Sequence, residues 1–361
     1  MSQTVFILGA GASADSGAPL MDNFIDKAED LFLDSTSNID YQAFDNIFNL
    51  IGDLQNVYAK SFLNLDNIEV LFGAVEMASV IGLLGSKMTN QISQLRKDLI
   101  TFIVQTIEKS IKFPVSKGGL YVAETNTYVG DREFVNDTET YGKFVNLIKS
   151  RYRDSAIITF NYDVALDFAY LNGFYMEPNY SLGSEPSNGI PLLKLHGSIN
   201  WRLCSNGHIV PIRFIDFMES NKPKSSDPVN LEFSKASIGS VCPQCKSHLT
   251  SPIIVPPTWN KTEYHGALSN VWHRAAKELS DAQNIIVIGY SLPESDSFFR
   301  YLYALSTAGR SRIKHFLVFN PDKSDETQAR YERLLGPGIT KKRYKYEGCG
   351  FATAIDELEK T

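Results

Sequence analysis

The sequence predicts an α/β fold built on a parallel sheet, and three observations carry this. Short apolar runs recur at Thr4 to Leu8, Ile285 to Ile288 and Phe316 to Phe319, the pattern of strands buried on both faces. Segments of helical spacing separate them, as in β-α-β units. The first run ends in Gly9-Ala10-Gly11-Ala12-Ser13-Ala14, which fits G-x-G-x-x-G/A between a strand and a helix. The expected architecture is a Rossmann-like parallel sheet with a large α-helical insertion and a small irregular module.

The elements follow in order. Thr4 to Leu8 is the first strand. Pro19 closes the glycine-rich turn and a helix is expected from Met21 to Phe32. From Tyr41 to Lys112 apolar residues fall at helical spacing: Phe44, Ile47, Phe48 and Ile51, then Val70, Leu71, Ala74, Val75 and Ala78. A further helical pattern runs from Ile92 to Ile111. Val80-Ile81-Gly82-Leu83-Leu84-Gly85 is too short to span a membrane and reads as a buried helix segment. Pro114 to Asp137 is rich in Gly, Thr and Asn and reads as loop. Strands return at Ser155 to Phe160 and Leu192 to Leu195. Asn200 to Pro257 lacks periodicity and reads as irregular. Trp272 to Leu279 and Ser297 to Leu305 read as helices. The chain is thus expected to be one domain, 1–361. Within it 1–20 and 151–361 form the core, 21–150 the helical insertion and 200–260 the small module.

Composition narrows the function classes. The chain has 361 residues, 43% hydrophobic and 21% charged, ordinary values for a globular protein. Its formal net charge is −6, and no basic stripe suited to phosphate contacts stands out. Lys341-Lys342-Arg343 is short and reads as a solvated surface run. Direct nucleic-acid binding and membrane insertion are therefore not expected. The start shows no basic segment of a signal peptide. Four cysteines are too few for a disulfide scaffold at this length, and the chain reads as cytoplasmic.

The glycine-rich turn has a plain reading and a functional one. It is either a strand-to-helix turn that needs glycines, or a cradle whose second glycine lets the backbone approach a pyrophosphate. Its extension Asp15-Ser16-Gly17-Ala18-Pro19 favours the second. Two further boxes follow: Thr159-Phe160-Asn161-Tyr162-Asp163 and Lys194-Leu195-His196-Gly197-Ser198. In this order the three resemble the motifs of the sirtuin (SIR2-like) family, over the α/β core, about half of the chain. The helical insertion with Asn67-Ile68-Glu69, and Gly289-Tyr290-Ser291-Leu292-Pro293 after a late strand, look like the bacterial anti-phage defence branch of that family.

The resemblance implies NAD as substrate. It implies binding by Gly9, Ala10, Gly11, Ala12, Ser13, Asp15, Ser16, Pro19 and Asp163, with Gly289, Tyr290, Ser291, Asn320 and Asp322 on the adenosine half. Asn161 and His196 are the implied catalytic residues. The chemistry agrees: Asn161 suits the placing of a water or ribose hydroxyl. His196 suits general-base work because its reference pKa lies near neutrality. The alternatives are a structural histidine, helix caps at Asn161 and Asp163, and ordinary strand-end turns at 289–291 and 320–322. Phe160 stands where the family's deacetylases carry glutamine, and Pro256-Pro257-Thr258-Trp259 near where they carry a Phe-Gly-Glu segment. Both departures favour water as acceptor, hence hydrolysis of NAD to nicotinamide and ADP-ribose in anti-phage defence. An NAD-dependent protein deacylase and a non-catalytic NAD or ADP-ribose-binding assembly module are the alternatives. An uncontrolled NADase would poison its host, so restraint is expected from a homo-oligomer, a trigger or a partner such as a HerA-type ATPase.

The cysteines suggest a metal site. Cys242-Pro243-Gln244-Cys245 is a C-x-x-C knuckle, and Cys204 with His208 completes a set suited to tetrahedral zinc; His248 competes with His208, and a degenerate loop is the alternative. His265 and His273, flanking Trp272, read as surface or packing residues. Phe298, Tyr301 and Tyr303 read as core or subunit interface.

Overall fold

The structure is a computed structural model. It describes residues 3–56, 60–85, 87, 89–117, 120–122, 127–129, 133–183, 188–236, 241–255, 262–294, 296–309, 313–322, 324–340 and 342–360. Pro256-Pro257-Thr258-Trp259 and Lys341 lie outside them, as does the side chain of His265.

Six parallel strands form the main sheet: β1 (Thr4–Leu8), β2 (Ser155–Thr159), β3 (Leu192–Lys194), β4 (Asn284–Ile288), β5 (His315–Phe319) and β6 (Tyr344–Glu347). Their spatial order is β6-β5-β4-β1-β2-β3, the Rossmann order. The chain winds outward from β1 in one direction and then returns to wind the other way. A topological switch point therefore lies between β1 and β4. Register is continuous at the carboxyl edge. Leu8 partners both Thr159 and Ile288, Thr159 partners Lys194, and Ile288 partners Phe319.

Both faces are covered, which is why β1 is an unbroken apolar run. Phe6 packs edge-on against Phe144 and Tyr152 of helix Glu139–Arg151 and its end, and the carboxyl-terminal helix Phe351–Lys360 closes over Phe144 through Phe351. On the opposite face Phe316 meets Tyr303 of helix Ser297–Thr307 and Tyr331 of helix Glu326–Leu334.

Between β1 and β2 the chain is mostly helical: Phe24–Leu33, Tyr41–Gln55, Ile68–Ile81, Thr89–Ser110 and Glu139–Arg151. Phe102 of Thr89–Ser110 joins the first two, with Phe24 at 6.4 Å, Phe44 at 4.7 Å and Phe48 at 5.6 Å between ring centroids. Asp40 caps the second helix by accepting from Ala43 N. Helix Ile68–Ile81 stops at Gly82 in the left-handed conformation. Its end lies off the packed face, so Val80, Ile81 and Leu83 are exposed rather than buried as expected. The expected loop at 114–137 contains two short antiparallel pairs, Val115–Ser116 with Phe134–Val135 and Leu120–Val122 with Thr127–Val129.

The region expected to be irregular contains an antiparallel sheet: Gly197–Cys204 pairs with Ile209–Pro211 on one side and Leu249–Ile254 on the other. Register shifts interrupt the latter pairing, which breaks the period-two signal that would have announced a strand. The helix expected at Trp272 to Leu279 runs over Thr262–Asp281. None of the helices among the described residues is long and apolar enough to cross a membrane.

Candidate functional site

Five motif segments leave the same edge of the sheet. The glycine-rich turn follows β1, Asn161 to Asp163 follow β2, His196 follows β3, Gly289 to Asp296 follow β4, and Asn320 to Asp322 follow β5. In a doubly wound sheet this carboxyl edge, at the switch point, is where ligands bind.

The β1 and β4 loops touch backbone to backbone. Gly9 N donates to Ile288 O at 3.1 Å, and Gly11 N donates to Gly289 O at 2.9 Å. A Cβ on Gly9 would stand 2.5 Å from Tyr290 Cα, and one on Gly289 would stand 2.4 Å from Ala12 N. Gly289 also has φ of 64°, where a side chain is strained. The glycines thus serve loop-to-loop packing. Ala12 N donates to Gly9 O, so the N–H groups of Gly9, Gly11 and Ala12 are all committed to protein carbonyls. The turn itself contains one helical turn, Ala10–Ser13, and a 3-10 turn, Ala14–Ser16, and the helix expected from Met21 to Phe32 runs over Phe24–Leu33. Asp15 is exposed, while Ser16 and Pro19 are buried.

Asn161 ties this turn to β2. Its Nδ2 donates to Gly9 O and to Ser13 Oγ, both at 2.9 Å, and its N–H donates to Thr159 Oγ1. Both Nδ2 protons are thereby used, and Oδ1 is the group left to accept from a ligand. Ser13 Oγ also bonds the buried Tyr141 hydroxyl at 2.8 Å, and Ser16 Oγ bonds Thr138 Oγ1 at 2.7 Å. Helix Glu139–Arg151 therefore braces the turn, a support that no motif announced.

Asp163 is buried and accepts from Ala165 N at 3.0 Å, the cap-like role anticipated as the alternative to ligand binding. Burial pushes its carboxyl up, opposed by the Lys194 ammonium, the Ser13 hydroxyl and the Ala165 N–H. Beneath it Lys194 donates to Asp163 O and pairs with Asp167 at 2.8 Å, both side chains only 1% exposed. Tyr180 donates to the same Asp167 carboxylate at 2.7 Å.

His196 is buried at the end of β3. Its ring packs edge-on to Phe160 at 5.0 Å, and its Nε2 lies 3.5 Å from Asp296 Oδ1. The other Asp296 oxygen accepts from the Tyr290 hydroxyl at 2.7 Å. Tyr290 stacks on Phe160 at 4.2 Å and 11°, an arrangement worth about 0.5–1.5 kcal/mol beyond burial. Tyr290 is itself buried, and its phenol is raised well above its usual range by burial, then by Asp296, with Glu69 contributing at longer range. At the start of helix Ile68–Ile81, Asn67 Oδ1 accepts from Glu69 N. Sequence reasoning missed Asp296; an acid several residues beyond a turn carries no motif.

The β5 loop behaves differently. Asn320 Oδ1 accepts from Asp322 N, and Asp322 accepts from Ser324 N, Ser324 Oγ and Thr327 N. These bonds hold the Asp322 carboxyl well below the usual range and cap the following helix. Both side chains are used within their own turn.

No protein-family model matches the chain, and no curated protein does either. Among solved structures it is similar to a Sir2 homologue mutant in complex with ADP-ribose, at 16% identity and TM-score 0.43 over 99% of this chain and 91% of the other. It is also similar to a Sir2 homologue in complex with NAD, at 15% identity and TM-score 0.41 over 99% and 89%. A third is Sir2 with an inhibitor, 2'-O-acetyl-ADP-ribose and a deacetylated peptide, at 13% identity and TM-score 0.36 over 99% and 92%. With TM-scores under 0.5, these likenesses assign neither fold nor activity to this chain.

The cysteine cluster forms away from this edge. Cys204, His208, Cys242 and Cys245 bring their ligand atoms within 4.8 Å of one another. Cys204 Sγ lies 3.6 Å from Cys245 Sγ, and Cys242 Sγ lies 3.6 Å from His208 Nδ1. Tetrahedral zinc with Zn–S bonds of about 2.3 Å spaces its sulfur ligands about 3.7 Å apart. Ser247 holds the Cys245 thiol down at about 5, which favours the thiolate that binds metal. Of the two candidate histidines, His208 is the one whose ring nitrogen is grouped with the three thiols. His273 and Tyr301 are exposed and Tyr303 is buried.

Proposed function

We propose that this chain is a sirtuin-type NAD glycohydrolase. The observation that carries the reading is the convergence of the glycine-rich turn, Asn161 and His196 at the ends of three adjacent, register-aligned strands. In the reaction the bond between ribose C1′ and the nicotinamide nitrogen breaks, and its electron pair leaves with nicotinamide. A water oxygen adds to C1′ and its proton passes to a base, giving ADP-ribose. Asn161 Oδ1 accepts from and orients the water or a ribose hydroxyl. His196 takes the proton. Asp163 accepts from the nicotinamide carboxamide, and the 9–19 turn, the 289–291 loop and the backbone of the 320–322 loop hold the rest of NAD. Phe160, where the deacetylases of the family carry glutamine, is occupied by its stack on Tyr290 and its contact with His196, which supports water as acceptor over an acylated lysine.

The resemblance to the defence branch supports NAD depletion against phage as the biological role. Restraint would come from self-association, from a trigger or from a HerA-type ATPase. Tyr301 and Leu305, 66% and 77% exposed one turn apart on helix Ser297–Thr307, support an interface there. Cys204, His208, Cys242 and Cys245 would hold one structural zinc, whose binding would pin the Cys204 hairpin to the 242–245 knuckle. Metal analysis should find about one zinc per chain, lost in Cys242→Ser.

Incubation with NAD in H₂¹⁸O tests the reaction: nicotinamide and ADP-ribose in equal amounts, with the label at C1′ of ADP-ribose, are expected. O-Acetyl-ADP-ribose formed only with an acetylated peptide would replace hydrolysis by deacylation.

A further inference from the structure

We propose that Asp296 is a positioning residue that fixes the tautomer and raises the basicity of His196. This deepens the reading above, since it rests on His196 being the base of the site. Asp296 is 1% exposed and directs one oxygen at His196 Nε2 from 3.5 Å. That separation is within ion-pair range and longer than an ideal hydrogen bond, as pairs often are before substrate closes a site. Its second oxygen is fixed by the Tyr290 hydroxyl at 2.7 Å, and the Tyr290 ring is fixed in turn by its stack on Phe160. Phe160 then packs edge-on to the His196 ring. Four side chains from the loops after β2, β3 and β4 thus close into one buried set.

The consequence is electronic as well as steric. A carboxylate facing Nε2 places the neutral imidazole proton on that nitrogen and leaves the lone pair on Nδ1. Nδ1 is then the atom that takes the proton from water or a ribose hydroxyl. When it does, the Asp296 charge stabilises the imidazolium, the service an acid renders to a catalytic histidine in the Ser-His-Asp arrangement. Among the described contacts, Asp296 faces the ring from the β4 loop and Tyr162 from the β2 loop, 6.2 Å away; Tyr290 stands behind Asp296. The Tyr290 hydroxyl tempers the effect, because a hydrogen bond donated to Asp296 draws charge away from the side that meets His196.

Nitrogen-15 NMR of the histidine rings in the full chain, titrated with pH, tests this without needing turnover. Wild type should carry its neutral proton on Nε2. Asp296→Asn should lower the His196 pKa by about one unit or more, because an opposite charge is lost. Tyr290→Phe, which keeps the stack, should raise it. Opposite shifts from two neighbouring substitutions are not the result of general loosening. In the NAD assay the acid limb of kcat/KM should follow the same shifts, with kcat reduced about 10-fold or more in Asp296→Asn and KM within about threefold. A His196 proton on Nδ1 in wild type, or an unchanged His196 pKa in both variants, overturns the proposal. If NMR shows the shifts while His196→Ala still turns over NAD at the wild-type rate, Asp296 positions His196 and it is the base reading that falls.

Discussion

The loops after β2 and β5 leave the same edge of one sheet and both begin with an Asn followed two residues later by an Asp, yet they spend their polar groups in opposite ways. Asn161 reaches across to Gly9 O and Ser13 Oγ, and Asp163 lies over the Lys194–Asp167 pair. The Asn320 and Asp322 side chains bond within their own turn and cap a helix, while their backbone carbonyls accept from Tyr346 of β6. The first loop is therefore bound to its neighbours, so its side chains are pre-positioned relative to the other strand ends. The side chains of the second serve their own turn. Identical residue types at one edge need not share a role; what separates them is whether their side-chain hydrogen bonds cross between loops.

Breaking the cross-loop sector should cost most. Lys194→Met leaves Asp167 charged and buried and takes a donor from Asp163 O, and should destabilise the fold by about 3–5 kcal/mol in urea unfolding. Gly289→Ala comes next, combining a backbone clash with Ala12 N and a left-handed φ; about 2–4 kcal/mol is expected. Asp322→Asn should cost about 1 kcal/mol, as loss of a cap does, and leave NAD turnover within about threefold. Its folded carboxyl is depressed relative to the unfolded one, so the stability it adds is present at neutral pH and fades as the solution is acidified below the ordinary carboxylate range. The stability difference between wild type and Asp322→Asn should therefore shrink in acid. A cost for Asp322→Asn equal to that for Lys194→Met would erase the distinction between the sectors.

The buried Glu108 gives a control outside both loops. Burial raises its carboxyl to about 7 despite bonds from Ser234. A raised folded value means that it penalises folding increasingly as pH climbs from about 4.5 to 7. Glu108→Gln should flatten that slope and leave NAD turnover unchanged, measured as unfolding free energy against pH.

Much of the sheet was legible because strands covered on both faces are continuous apolar runs, as in Val5 to Leu8 and Ile285 to Ile288. β6 was not: its sequence, Tyr344-Lys345-Tyr346-Glu347, is an edge strand with polar residues, and propensity alone does not separate it from a loop. Gly197–Cys204 was missed because its pairing is interrupted by register shifts. At the site, glycines and the Asn161 and His196 boxes were readable as local patterns. Tyr141, Thr138 and Asp296 were not, because each acts through a contact made far along the chain, and nothing local to them marks it. Gly9 was read as permitting the turn and Gly11 as bringing the backbone to a pyrophosphate; the close approach of Gly9 and Gly289 to each other's loops was not legible, because it joins segments far apart in the chain.

NAD turnover by four variants in parallel tests the central claim most directly. Asn161→Ala and His196→Ala should lose about 100-fold or more of the hydrolysis seen in wild type while remaining folded, and Asn320→Ala and Asp322→Asn should keep most of it. Equal losses in the two pairs, or full activity in His196→Ala, would contradict the assignment of the chemistry to the cross-bonded loops.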